Sequence, residues 1–276
     1  MYCIVNNFIK RTITGTIFVI VIVGAVLWNP WIFAVLFLLV SLGGLLEFFR
    51  MTRTAGLEVA RSVMLVIGAT VYGMITLVLN NLLEPAYLLF ALLILPLLLA
   101  LELFRKKGNP FLNVATALIG LIWIVIPLAL LNGFFLKGAE PGWMHSGSLL
   151  GFFLILWIYD SGAYIFGSLM GKHRMLERIS PKKSWEGFIG GTLTGSLTAF
   201  LISASFREFS LLQWLLIATI IIIFGTIGDL VESMLKRSTG VKDSGTLLPG
   251  HGGILDRFDA VLLAAPAVFL LLQFLR

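Results

Sequence analysis

The chain has 276 residues, of which 59% are hydrophobic and 12% charged, and its mean hydropathy is +1.01. Soluble domains carry about 25% charged residues, so this balance excludes a soluble globular protein and describes a polytopic membrane protein. The single cysteine, Cys3, excludes an internal disulfide and a multi-cysteine metal site, and the net charge of +6 is interpretable only once its positions are known.

Nine apolar segments are long enough to cross the hydrocarbon, near 12–27, 31–49, 62–80, 85–104, 111–136, 148–170, 187–206, 211–235 and 257–276. Lipid cannot satisfy open backbone groups, so the spans must be helices. The expected fold is all-α, about nine transmembrane helices with a polar cavity facing the cytoplasm. Residues 1–147 hold about five spans. Residues 148–276 hold about four, with cytoplasmic loops at 171–187 and 236–256.

Loop charge alternates along the chain. Lys10 and Arg11 begin one side, followed by Arg50, Arg53 and Arg61, then Arg105, Lys106 and Lys107. Lys172, Arg174, Arg178, Lys182 and Lys183 come next, then Lys236, Arg237, Lys242 and Arg257. The other side has only Lys137, Arg207 and Arg276. The positive-inside rule puts the basic side in the cytoplasm, the N-terminus inside and the C-terminus outside. The positive surplus is therefore topological, and no nucleic-acid partner is expected. Anionic headgroups and nucleotide phosphates fit it.

The first span reads as a retained helix, because Trp28-Asn29-Pro30-Trp31 is not a small-residue cleavage site. Spans one to five are chemically quiet, with Gly43-Gly44, Gly68 and Gly73 as close-packing points. Glu47 and Glu102 read as interfacial ion pairs with Arg50 and Arg105. The sixth span differs. Asp160, between Tyr159 and Ser161, sits deep in an apolar helix, where a charge costs about 2.5–3.5 kcal/mol, so it must face a cavity or a partner.

In the next loop, Gly167 to Lys172 fails as a P-loop, because the spacing is one residue short and His173 stands where Ser or Thr is needed. By charge, Ser180-Pro181-Lys182-Lys183-Ser184 reads equally as an ordinary positive-inside loop or as a capped helix start whose amides and lysines hold a phosphate. Trp185-Glu186-Gly187, re-entering the membrane directly afterwards, favours the second. On the eighth span, Asp229, Glu232 or Ser233, and Lys236 share one face, with Asp229 about 10 Å from Lys236 along the axis. Such a stripe must line a cavity.

The passage Ser233–Asp259 is the longest polar run of the chain. It carries Lys236, Arg237, Lys242, Asp243, His251, Asp256, Arg257 and Asp259, with Gly252 and Gly253 permitting close backbone approach to a ligand. Asp229 and Asp256, from two helices, can meet at one hard cation such as magnesium. Asp256 and Asp259 can instead cap the last helix.

Ser233-Met234-Leu235-Lys236-Arg237, then Lys242-Asp243, then Pro249-Gly250-His251-Gly252-Gly253-Ile254-Leu255-Asp256-Arg257-Phe258-Asp259 resembles the signature of the phosphatidate cytidylyltransferases (CDP-diacylglycerol synthases). A second block is similar: Asp160-Ser161-Gly162-Ala163-Tyr164, Gly171-Lys172 and Ser180 to Gly187. Members often have Thr where Ser161 stands, which keeps the hydroxyl. The resemblance implies that CTP and phosphatidate give CDP-diacylglycerol and pyrophosphate. The enzyme it implies is a magnesium-dependent, dimeric protein of the bacterial cytoplasmic membrane, with room for a second, monovalent cation. It also implies Asp229, Asp256 and Asp259 at the metal, and Asp243 as a nearby ligand or orienter. Lys236, Arg237, Lys242 and Arg257 would face CTP phosphates. Ser180, Lys182, Lys183, Ser184, Glu186, Ser233, Gly252 and Gly253 would bind substrate. Asp160 would order the cavity or contact nucleotide, and His251 would position rather than act as a base. The alternatives are a CTP-dependent transferase acting on another lipid phosphate or a polyprenol, and an ion-coupled transporter using Asp160 and Asp229.

Overall fold

Apolar runs bounded by Asn, Pro, Gly and Ser become the helices. The computed structural model describes residues 2–135, 146–245 and 252–275, with side chains from Ile13 onward. Helix α1 spans Tyr2–Trp28, α2 Pro30–Thr54 and α3 Arg61–Leu79. A 3-10 helix, Pro85–Leu93, continues as α4, Ile94–Arg105. The fifth span is composite: α5 Pro110–Gly120, a π turn Leu121–Val125, α6 Ile126–Leu130 and a 3-10 turn Leu131–Phe134. Helix α7 is Gly147–Met170, followed by strands β1, Arg174–Leu176, and β2, Ser180–Ser184. Helices α8 Trp185–Ser205, α9 Leu211–Ser238 and α10 Leu255–Leu275 complete the chain.

Eight of these segments, from α2 onward, are long and apolar enough to cross a bilayer among the described residues. The apolar part of α1, Ile13–Trp28, is shorter. The protein is an all-α integral membrane protein with one small hairpin among the described residues. Helix starts follow the caps. The Asn29 side chain accepts from Trp31 N at 2.7 Å ahead of Pro30, and Ser184 Oγ accepts from Gly187 N at 3.2 Å. The π turn precedes Pro127, whose ring and missing N–H disturb the helical ladder at that point.

The chain divides into two units. The first comprises residues 1–25, 29–133 and 235–258. Its core is aromatic: Phe33 stacks on Phe37 at 4.1 Å, and Phe37 meets Phe258 edge-on at 5.6 Å. The buried Tyr72 hydroxyl donates to Ala34 O at 2.9 Å and accepts from Asn132 Nδ2 at 3.0 Å, so this hydroxyl is satisfied both as donor and as acceptor. Glu102 pairs with Arg105, as the sequence predicts. Outside the spans, Lys107 lies 2.9 Å from Glu58 and holds its carboxyl below the usual range.

The second unit comprises residues 26–28, 134–234 and 259–276. Here α7 and α8 lie in close contact because small residues meet large ones. A side chain at Gly162 would overlap Thr194, one at Gly190 would overlap Phe166, and one at Gly191 would overlap Tyr159. Gly228 likewise admits the α10 backbone, with Ala260 Cα only 3.1 Å from where a Cβ would stand. Lys236, Ser244 and the start of α10 up to Phe258 belong to the first unit.

Candidate active site

In the second unit, a cavity of about 490 Å³ opens beside α7, lined by Tyr159, Asp160, Arg174, Lys182, Lys183, Ser184, Thr226 and Asp229 among others. Asp160 is thus exposed to a cavity rather than to packed helix, which is how a carboxylate survives in the middle of α7. Lys183 forms an ion pair with Asp229. Thr226 Oγ1 spends its proton on Ile222 O at 2.7 Å, so the buried Tyr159 hydroxyl is the donor to Thr226. Asp160 and Asp229 lie within electrostatic reach of each other and of Lys183, and Asp259 within reach of Asp229, Glu232 and Asp160.

The lysines are delivered by a strand, not by a helix start. Ser180–Ser184 is β2, paired antiparallel with β1 with Arg174 opposite Ser184 and Leu176 opposite Ser180. This corrects the expected helix cap at Ser180 with Pro181 in the first turn. The cap lies four residues later, at Ser184, because that hydroxyl reaches Gly187 N and the chain turns helical only at Trp185. Glu186 fastens the hairpin. Its carboxylate accepts from Lys172 N at 3.1 Å, from His173 N at 3.2 Å and contacts His173 Nδ1 at 2.6 Å. Trp185 N adds a bond to His173 O at 2.9 Å. Glu186 therefore shapes the loop that carries Lys182 and Lys183. Ser180 is not among the residues lining the cavity.

In the first unit, Asp256 organises the start of α10. Its Oδ1 accepts from Lys236 Nζ at 2.8 Å. Its Oδ2 accepts from Ser244 N at 3.0 Å, Ser244 Oγ at 2.8 Å and Gly253 N at 2.8 Å. Gly252, at φ 80°, lets the chain turn into this arrangement. Glu47 lies in the same place. It is fully buried, accepts from Leu255 N at 3.0 Å and from Ser244 Oγ at 3.2 Å, while Arg50 is exposed. This overturns the interfacial Glu47–Arg50 pair, because the partners of Glu47 come from 197 and 208 residues away. Arg237, Lys242, Asp243 and Arg257 are exposed, and Ser233 is half-buried. His251 lies outside the described residues.

A hard divalent cation takes a few carboxylates, with substrate oxygens and water completing its shell. Asp229, Asp259 and Asp160 are carboxylates within electrostatic reach of one another that could offer oxygens to such an ion. Among the described residues no group of three or more His, Cys, Asp or Glu side chains converges closely enough to hold a metal alone, so phosphate oxygens would have to complete the site. Asp256 fits less well, since Lys236, Ser244 and Gly253 already occupy both its oxygens.

The sequence profile of the cytidylyltransferase family matches residues 9–275, and the chain belongs to that family. It is 43% identical over 179 residues to a protein named phosphatidate cytidylyltransferase from Staphylococcus saprophyticus, covering 64% of this chain and 65% of that one. A Staphylococcus haemolyticus protein of the same name is 55% identical over 122 residues, 44% of this chain and 46% of its own. One from Staphylococcus aureus is 42% identical over 178 residues, 64% of this chain and 65% of its own. The chain thus spans about two thirds or less of the curated relatives it matches.

Proposed function

We propose that the chain transfers the cytidylyl group of CTP to phosphatidate, giving CDP-diacylglycerol and pyrophosphate, at the cytoplasmic face of a bacterial cytoplasmic membrane. The observation that carries this reading is the cavity of the second unit, where Lys183 and Asp229 meet beneath a hairpin clasped by Glu186. Family membership and the names of the relatives support it. The basic loops support an N-terminus inside, a C-terminus outside and a cytoplasmic site. The working form is a homodimer.

A phosphatidate phosphate oxygen attacks the α-phosphorus of CTP. The new phosphorus–oxygen bond forms as the bond to the α,β-bridging oxygen breaks, and pyrophosphate leaves with the electron pair. The nucleophile is already anionic, so no general base is required, and His251 has a positioning role. Catalysis rests on placement and charge neutralisation. Lys182 and Lys183 hold phosphate oxygens in the cavity, Asp229 orients Lys183, and Tyr159 and Thr226 fix the wall behind them. Lys236, Arg237, Lys242 and Arg257 carry positive charge that matches the phosphates of CTP. Asp229 and Asp259 would hold magnesium, which when bound supplies positive charge against the triphosphate.

The test uses purified full-length protein in detergent with phosphatidate, magnesium and CTP labelled at the α-phosphate. Label should enter the organic phase only when phosphatidate is present. Label entering equally well with a polyprenol phosphate would move the reading to that substrate, and no label with any acceptor would overturn it.

A further inference from the structure

Helix α2 has no assigned chemistry, yet one of its turns is built to receive the polar segment before α10. Gly43 and Gly44 leave space that Ile254 and Leu255 fill, with Leu255 Cδ2 at 3.3 Å from the Cβ position of Gly44. One turn on, Glu47 takes Leu255 N and Ser244 Oγ. Gly245 and Gly253 lie directly against its carboxylate, where any side chain would collide. Glu47 Oε1 is buried without a hydrogen-bond partner among the described residues, an arrangement that burial alone would not favour. Ser244 Oγ also donates to Asp256 at 2.8 Å. A hydroxyl has one proton, so Glu47 and Asp256 compete for it. Glu47 is therefore one atom removed from the carboxylate that holds Lys236.

We propose that Glu47 is a positioning residue for the transfer reaction: by holding Ser244 and Leu255 N it sets the placement of Asp256 and Lys236. The link to catalysis rests on the proposed cytidylyl transfer, but the placement of the segment does not. Glu47 touches no reacting atom. Its effect should be local to residues 244–258 and should reach kcat more than KM.

Two variants test this, Glu47→Ala and Glu47→Gln, with amide hydrogen exchange and steady-state transfer measured on the same preparations. In Glu47→Ala, exchange in peptides covering 244–258 rises about tenfold or more, peptides from α7 and α8 stay at wild-type rates, and kcat falls about tenfold with KM for CTP within about threefold. In Glu47→Gln the amide oxygen still accepts from Leu255 N, so exchange and kcat stay within about threefold of wild type. Exchange rising equally across α2, α7 and α8, or loss of folded Glu47→Ala protein, gives Glu47 a global role and overturns the proposal. Unchanged exchange at 244–258 also overturns it. If the wild type transfers no cytidylyl group, the proposed function fails while the exchange data still decide the placement claim.

Discussion

Replacing Lys183 with Met removes a charge and keeps the stem, so it separates the two things this lysine can do. The Lys183 and Asp229 side chains are 28% and 23% exposed. A fully exposed pair would contribute about 0.2–1 kcal/mol. A charge-assisted bond this far removed from water contributes about 1.5–3 kcal/mol. Lys183→Met should therefore cost about 2 kcal/mol, a fall in Tm of about 2–4 °C. A protein with a margin of about 5–15 kcal/mol stays folded after that loss, so stability alone leaves turnover nearly unchanged. If Lys183 faces charge developing on the transferred phosphoryl group, losing it costs about 10²–10³ in rate. The assay is kcat/KM for label transfer from CTP to phosphatidate, with Tm on the same sample. The account expects a fall of about a hundredfold or more. Activity within about threefold of wild type, with the same drop in Tm, would reduce Lys183 to a structural partner of Asp229 and refute the reasoning. The swap Lys183→Asp with Asp229→Lys should restore Tm but not turnover.

Glu186→Ala removes the acceptor for Lys172 N and His173 N. It should loosen the hairpin and lower kcat/KM about tenfold or more without unfolding the helices, as read by circular dichroism and kinetics. Gly162→Val forces a branched side chain into Thr194 and should destabilise the α7–α8 contact by about 1–3 kcal/mol, visible as a lower Tm. Asp229→Asn and Asp259→Asn should each raise the magnesium concentration needed for half-maximal activity, and EDTA should abolish turnover reversibly. An unchanged magnesium dependence in both variants would remove these two carboxylates from the metal site.

The spans were legible because each is a long apolar run, and length alone decides whether a helix can cross. Asp160 and Asp229 were legible as cavity residues, because a carboxylate in such a helix has nowhere else to go. The hairpin was not. Ser180-Pro181 followed by lysines has the composition of a helix start, and what decides for a strand is pairing with Arg174–Leu176, a tertiary fact. The Ser184-to-Gly187 spacing, a cap and the third helical residue, was the available local signal. Glu47 was hidden for a different reason. Beside Arg50 it looks like any interfacial acid, and its partners, Ser244 and Leu255, are distant in sequence. The small pair Gly43-Gly44 was the only nearby sign that something approaches that turn closely. The composite fifth span was equally illegible in detail, although Pro127 marks where its ladder must adjust.

The most direct measurement follows three labels in parallel reactions of purified protein: CTP labelled at the α-phosphate, CTP labelled at the γ-phosphate, and phosphatidate labelled in its phosphate. The account predicts α-label and phosphatidate label together in one lipid product, with γ-label released as pyrophosphate. γ-Label in the lipid, or α-label retained in a soluble nucleotide while phosphatidate is consumed, would contradict it.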